Sequence, residues 1–136
     1  MIDILQNVIN AGTGNRLRRA PYNITAKMGG KTGTTNFNSD GWFMGFTPSL
    51  VTGVWVGGDE RYIHFNTMAQ GQGASTALPI YGRYMTKVYA DKTLPYKQDE
   101  EFPAPPPGFS PCFKESFGPD SVSVSVPVEA IDNVYD

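Results

Sequence analysis

The chain has 136 residues, 40% hydrophobic and 18% charged, with 11 basic and 13 acidic side chains for a net charge of −2. That length holds one small domain, the near-neutral charge argues against a nucleic-acid binder, and no apolar run approaches the roughly 20 residues of a membrane-spanning helix. A lone cysteine, Cys112, excludes an intrachain disulfide or a Cys-based zinc cage, and a lone histidine, His64, excludes a His-rich metal site, so no metal and no cofactor is expected.

In chain order, Met1, Ile4, Leu5 and Val8 follow the i, i+3, i+4, i+7 spacing of an amphipathic helix, predicted over 2–11 and stopped by Gly12 and Gly14. A basic loop with Arg16, Arg18 and Arg19 follows, and three charges on a loop are expected to face solvent. Residues 24–35 read as a strand broken by Gly29 and Gly30. WFMGF (42–46) and LVTGVWVG (50–57) are apolar, aromatic or β-branched runs separated by Thr47, Pro48 and Ser49, which predicts a hairpin of strands 41–47 and 50–57. A loop from Gly58 to about Gly73 carries His64, expected to be exposed. A second helix is predicted over 75–90, with Ser75 as N-cap and Pro79 in its first turn; Leu78, Tyr81, Met85 and Val88 make its apolar stripe.

These elements predict an α+β layer: a three-stranded antiparallel sheet flanked by an N-terminal and a C-terminal helix. The expected core is Leu5, Val8, Phe43, Val54, Val56, Leu78, Tyr81 and Met85, with Trp42, Phe46 and Trp55 also assigned to packing. Such a core is thin, and an uncovered sheet face leaves dimerisation in isolation open.

Composition changes sharply near Lys97. Residues 1–97 hold ten basic and five acidic side chains, whereas residues 98–136 hold one basic side chain, Lys114, against eight acids. Seven of the eleven prolines also lie in the second part. The expected organisation is a folded unit over 1–97 and a poorly structured, acidic, Pro-rich tail over 98–136. SVSVSVPV (121–128) alternates like a strand but is interrupted by Pro127.

The informative segment is MGGKTGTTNFNSDGWFMGFTP (28–48). Lys31-Thr32-Gly33 alone is a short match to the K-T-G element of penicillin-binding proteins and serine β-lactamases. KTGTT followed by Asn36, a DGWF-MGFTP hairpin and a VTGVWVGGD strand is far more specific. This order closely resembles the C-terminal part of the transpeptidase domain of class A, bifunctional penicillin-binding proteins, with NVINAGTGNRLRR before it and GQGASTALPIYGRYM after it resembling the flanking elements. The resemblance covers about residues 5–90 and none of the acidic tail.

The resemblance implies that the backbone N–H of Thr34, the residue after K-T-G, is one of two oxyanion-hole donors for acyl transfer. It implies that the Thr32 and Thr34 hydroxyls hold the carboxylate of a D-Ala-D-Ala stem peptide or of a β-lactam, and that Lys31 places a positive charge beside it. Gly33, with no Cβ, lets a substrate backbone approach, and Thr35 completes the substrate-binding strand Thr32–Gly33–Thr34–Thr35. Asp40 and Trp42 match the family's hairpin without a catalytic role that their chemistry dictates.

Two other elements of the pattern are missing from the chain. No serine is followed three places on by lysine, and none is followed two places on by asparagine; Ser110 stands four before Lys114, the wrong spacing. A serine hydroxyl is weak without an adjacent base. The chain therefore reads as a C-terminal fragment or truncated copy, with the nucleophile, a glycosyltransferase domain and a membrane anchor expected upstream. Two readings compete: a fragment of a D,D-transpeptidase that cross-links peptidoglycan and binds penicillin, inactive alone, or a non-catalytic module that binds peptide or β-lactam or docks on a cell-wall protein. Either reading implies the extracytoplasmic face of the cytoplasmic membrane. The N-terminal MIDILQNVINAGTG has no basic n-region, so an export signal is expected on a longer parent chain.

Overall fold

A computed structural model describes residues 1–104, and residues 105–136, with the SVSVSVPV stretch, lie outside the described part. Helix α1 spans Ile2–Asn10, β1 Gly29–Thr34, β2 Asp40–Phe46, β3 Val51–Gly57, α2 Met68–Gly71 and α3 Ala77–Ala90. The strands form one antiparallel sheet in the order β1-β2-β3, the α+β architecture expected from the sequence. Helix α1 ends where Gly12 and Gly14 donate their N–H groups to the Asn7 and Val8 carbonyls at 3.0 and 2.9 Å. The N-cap of helix α3 falls one residue later than expected: Thr76 is the N-cap position, and its hydroxyl donates to the Gln72 carbonyl at 3.0 Å instead of capping the helix. The loop expected from 58 to 73 also contains one helical turn, α2.

The register places Phe43 opposite Thr32 and Val54, Trp42 opposite Gly33 and Trp55, and Gly41 opposite Thr34 and Val56. Gly41, Phe43 and Gly45 therefore share the face covered by α3. Phe43 meets Tyr81 edge to face with ring centroids 4.7 Å apart, and a Cβ on Gly45 would fall 2.5 Å from the Tyr81 ring. Leu78, Tyr81, Met85 and Val88 are all buried, as the stripe predicts.

The core departs from expectation at several residues. Leu5, Val8, Val54 and Val56 are only half-buried, and Ile9 is the residue of α1 that is fully enclosed. Trp42 and Trp55 are 43% and 45% exposed, on the sheet face opposite α3, because strand alternation sends them away from Phe43. Leu17, Tyr22, Ile24, Ala26 and Met28, from the stretch between α1 and β1, join the core instead.

The strand expected over 24–35 is paired only from Gly29 to Thr34. Residues 24–28 do alternate, with Ile24, Ala26 and Met28 buried. In place of a neighbouring strand, Arg18 Nη1 donates to the Ile24 and Ala26 carbonyls at 3.0 and 2.7 Å, and the Ile24 N–H donates to the Leu17 carbonyl at 3.0 Å. Arg18 also binds Asn10 Oδ1 through Nη2 at 2.8 Å. It therefore turns inward, unlike the solvent-facing triplet expected of Arg16, Arg18 and Arg19, and burial lowers its pKa. The compact unit runs Met1–Pro103. Within it Gln98 Oε1 accepts the Thr25 N–H at 2.8 Å, Glu101 pairs with Lys27, Ser49 donates to Glu100, and Phe102 packs on Phe46 with centroids 5.7 Å apart.

Candidate active site

Strand β1 is an edge strand of the described sheet, and the phase of its pairing follows from one bond. The Thr35 N–H donates to the Asp40 carbonyl at 3.1 Å. Antiparallel alternation then turns the N–H and C=O of Gly33 and Lys31 toward β2 and those of Thr34 and Thr32 away from it. Among the described residues no strand pairs with that outer edge.

The side chains of Thr32 and Thr34 lie on the α3 face, and Lys31 and Gly33 lie on the face of Trp42 and Met44. Lys31 nevertheless returns to the edge: its Nζ donates to the outward Thr32 carbonyl at 2.9 Å. The Thr34 hydroxyl accepts the Gly73 N–H at 3.2 Å. At Gly33 a Cβ would approach the Trp42 Cβ to 3.3 Å, tighter than ordinary contact, so a side chain at this point would press on the hairpin behind it.

Thr35 is used within the chain. Its hydroxyl donates to Asp40 Oδ2 at 2.9 Å and accepts the Asp40 N–H at 2.9 Å. Ser39, buried, donates to the same carboxylate oxygen at 3.0 Å. Asp40 Oδ1 accepts the indole N–H of Trp55 at 2.9 Å. Donation from Trp55 first, then from Thr35 and Ser39, holds the Asp40 carboxyl below its ordinary range. The role that Asp40 lacked in the sequence is thus structural: one carboxylate ties the end of β1, the connecting turn and β3 together. That turn, Asn36–Asn38, holds Phe37 and Asn38 at φ of 62° and 57° and leaves Phe37 exposed.

Gly71-Gln72-Gly73 packs onto this end of the sheet, a contribution that sequence reasoning missed. A Cβ on Gly41 would fall 2.2 Å from Thr76 Oγ1, and one on Gly73 would fall 2.7 Å from the Gly33 carbonyl oxygen. The cluster of small residues in GQGAST was the available signal. His64 is exposed, with Nδ1 3.2 Å from the Phe65 carbonyl. Among the described residues no group of three His, Cys, Asp or Glu side chains could hold a metal ion, and no helix is long and apolar enough to cross a membrane.

A K-T-G strand at a sheet edge, a DGWF hairpin behind it and a helix packed on the far side define part of a penicillin-binding fold. Over 95 residues the chain is 43% identical to penicillin-binding protein 1A of Pseudomonas aeruginosa, covering 69% of this chain and 11% of that protein. It is 39% identical over 108 residues to penicillin-binding protein 1A of Aquifex aeolicus, covering 77% of this chain and 13% of that protein. The crystal structure of penicillin-binding protein 1A from Haemophilus influenzae superposes with a TM-score of 0.60 at 31% identity, over 75% of this chain and 15% of the other. No family model matches the chain. The chain belongs to the class A penicillin-binding proteins and spans only about a tenth of the length of the relatives it matches.

Proposed function

We propose that this chain supplies the K-T-G wall of a serine-type D,D-transpeptidase site. In that site an extended D-Ala-D-Ala stem peptide, or a β-lactam in its place, lies along the outer edge of β1. The observation that carries the reading is the phase of β1, which points the Thr34 N–H outward while Lys31 Nζ reaches the same edge at the Thr32 carbonyl. An outward N–H can stabilise the oxyanion of acyl transfer, and a cation beside it suits a terminal carboxylate. Thr32, Gly33 and Thr34 line that edge, and Thr35 serves by anchoring the strand end through Asp40.

Acylation needs a serine with an adjacent base, and the sequence contains neither the S-x-x-K nor the S-x-N pattern. The reading therefore assigns the nucleophile to residues outside this chain, within a protein anchored at the membrane and facing the cell wall. The same sequence fact supports a second reading, a non-catalytic module that binds peptide or β-lactam at the β1 edge.

Two measurements test these readings. The chain incubated with excess benzylpenicillin should show no mass increase on intact mass spectrometry; a penicilloyl adduct mapped to any serine would make it an enzyme by itself. In a chimera carrying residues 1–103 in place of the matching segment of the Haemophilus influenzae protein, Lys31→Ala and Thr34→Val should each slow acylation about tenfold or more, the effect of removing one polar partner of a charged group. Unchanged acylation in both variants would refute the site assignment. An inert but correctly folded chimera would favour the non-catalytic module.

A further inference from the structure

We propose that Gly73 is a positioning residue that sets the Thr34 hydroxyl as a proton donor toward a carboxylate-bearing extended peptide at the β1 edge; this rests on the binding reading above. Gly73 is buried, and both of its backbone groups are used. Its carbonyl accepts the Leu78 N–H at 2.9 Å, which ties it to the first turn of α3. Its N–H donates to Thr34 Oγ1 at 3.2 Å across 39 residues of sequence.

The consequence lies in the hydroxyl's inventory of one proton and two lone pairs. A threonine that accepts from a fixed N–H cannot aim its own proton at that nitrogen. Among the described residues no hydrogen bond consumes the Thr34 proton, and the side chain is exposed. It is therefore available to an acceptor from outside, and an anionic acceptor makes the stronger bond.

The position also has no room for a side chain. A Cβ at residue 73 would lie 2.2 Å from the Trp42 carbonyl oxygen and 2.7 Å from that of Gly33. Both obstacles are backbone of the paired strands, so neither can rotate aside. An alanine there must displace the loop, and with it the donor to Thr34, or push on the Gly33–Thr34 peptide itself. Gly41 opposes Thr34 in the register and lets the loop sit this low: its missing Cβ would come within 3.3 Å of the Gly73 Cα.

The test uses the full 136-residue chain, isotope-labelled, in two NMR measurements. The first is amide exchange. The Gly73 amide should be protected in the wild type and in Thr34→Ser, and should exchange about tenfold or more faster in Thr34→Val. Equal exchange in all three overturns the proposal. The second is titration with N-acetyl-D-alanyl-D-alanine. Gly73→Ala and Thr34→Val should each weaken binding about tenfold, with the β3 amides and those of α3 beyond its first turn unshifted, and Thr34→Ser should restore it. If Thr34→Val abolishes binding while Gly73→Ala binds like the wild type, this proposal fails and the carboxylate site stands. If the wild type shows no saturable shift, or Thr34→Val binds normally, the carboxylate reading fails and the proposal falls with it. Should Gly73→Ala not fold, the exchange comparison of the two Thr34 variants decides alone.

Discussion

The stretch from residue 15 to residue 28 and the β2–β3 hairpin bury their side chains by opposite means. The hairpin has a complete backbone ladder, yet only one of its two faces is enclosed: Phe43 is fully buried while Trp42, Met44 and Trp55 remain exposed. The 15–28 stretch has no ladder and still encloses Leu17, Tyr22, Ile24, Ala26 and Met28. What a strand obtains from its neighbour, this stretch obtains from turn bonds within itself, such as the Ile24 N–H to the Leu17 carbonyl at 3.0 Å, and from one guanidinium that binds two of its carbonyls. Regular hydrogen bonding and burial are thus separable, because a buried carbonyl needs a donor and not specifically a strand.

The contrast is sharpest in the core. Leu17→Ala in the 15–28 stretch should destabilise as much as Phe43→Ala in the hairpin, about 3–4 kcal/mol each, read from urea denaturation midpoints. A loss below about 1 kcal/mol at Leu17 would break the comparison. Arg18→Met should remove about 1–3 kcal/mol by leaving the Ile24 and Ala26 carbonyls without their donor. Amide protection should fall around residues 24–28 and stay unchanged across β2 and β3. On the open face, Trp42→Leu should cost about 0.5–1.5 kcal/mol, the range of an aromatic pair beyond its buried area, with Trp55 fluorescence reporting the lost contact.

The clamp on Asp40 gives the hairpin a pH signature. Because the folded carboxyl titrates below its ordinary value of 3.8, its contribution is present above that value and is lost as pH falls through the lower, folded one. Stability measured downward from neutral pH should decline in that window, and Asp40→Asn should flatten this part of the curve. The smallest effect belongs to Lys27→Ala. Its ion pair with Glu101 is more than half exposed on both sides, so about 0–1 kcal/mol is expected, vanishing in high salt.

Legibility in the sequence followed periodicity. Helix α3 and the hairpin were readable because Leu78, Tyr81, Met85 and Val88 repeat at one spacing and WFMGF and LVTGVWV are apolar runs; the span of α1 was readable too, but not its stripe, since Met1 and Ile4 are exposed and Ile9 is the enclosed residue. Alternation misled at Ile24, Ala26 and Met28, where it marks burial without pairing and nothing local reveals that Arg18 supplies the donors. Trp42 and Phe43 adjoin in sequence, so aromatic character alone could not say which of the two faced α3; only the register with β1 and β3 decides it. At the candidate site, the KTGTT string marked the strand and its end. The Gly73 to Thr34 bond and the reach of Trp55 to Asp40 join residues 39 and 15 apart, and no pattern along the chain encodes those meetings.

The two indoles offer a use beyond packing. Trp42 and Trp55 are direct partners across β2 and β3, with ring centroids 6.3 Å apart and planes tilted by 39°. Two such chromophores at that spacing and skew couple their electronic transitions, so the pair should give a split signal in far-ultraviolet circular dichroism. A one-residue slip of β3 would send Trp55 to the opposite face and extinguish the couplet while leaving the helical bands in place. The hairpin thereby carries its own optical gauge of alignment, readable in the unlabelled protein.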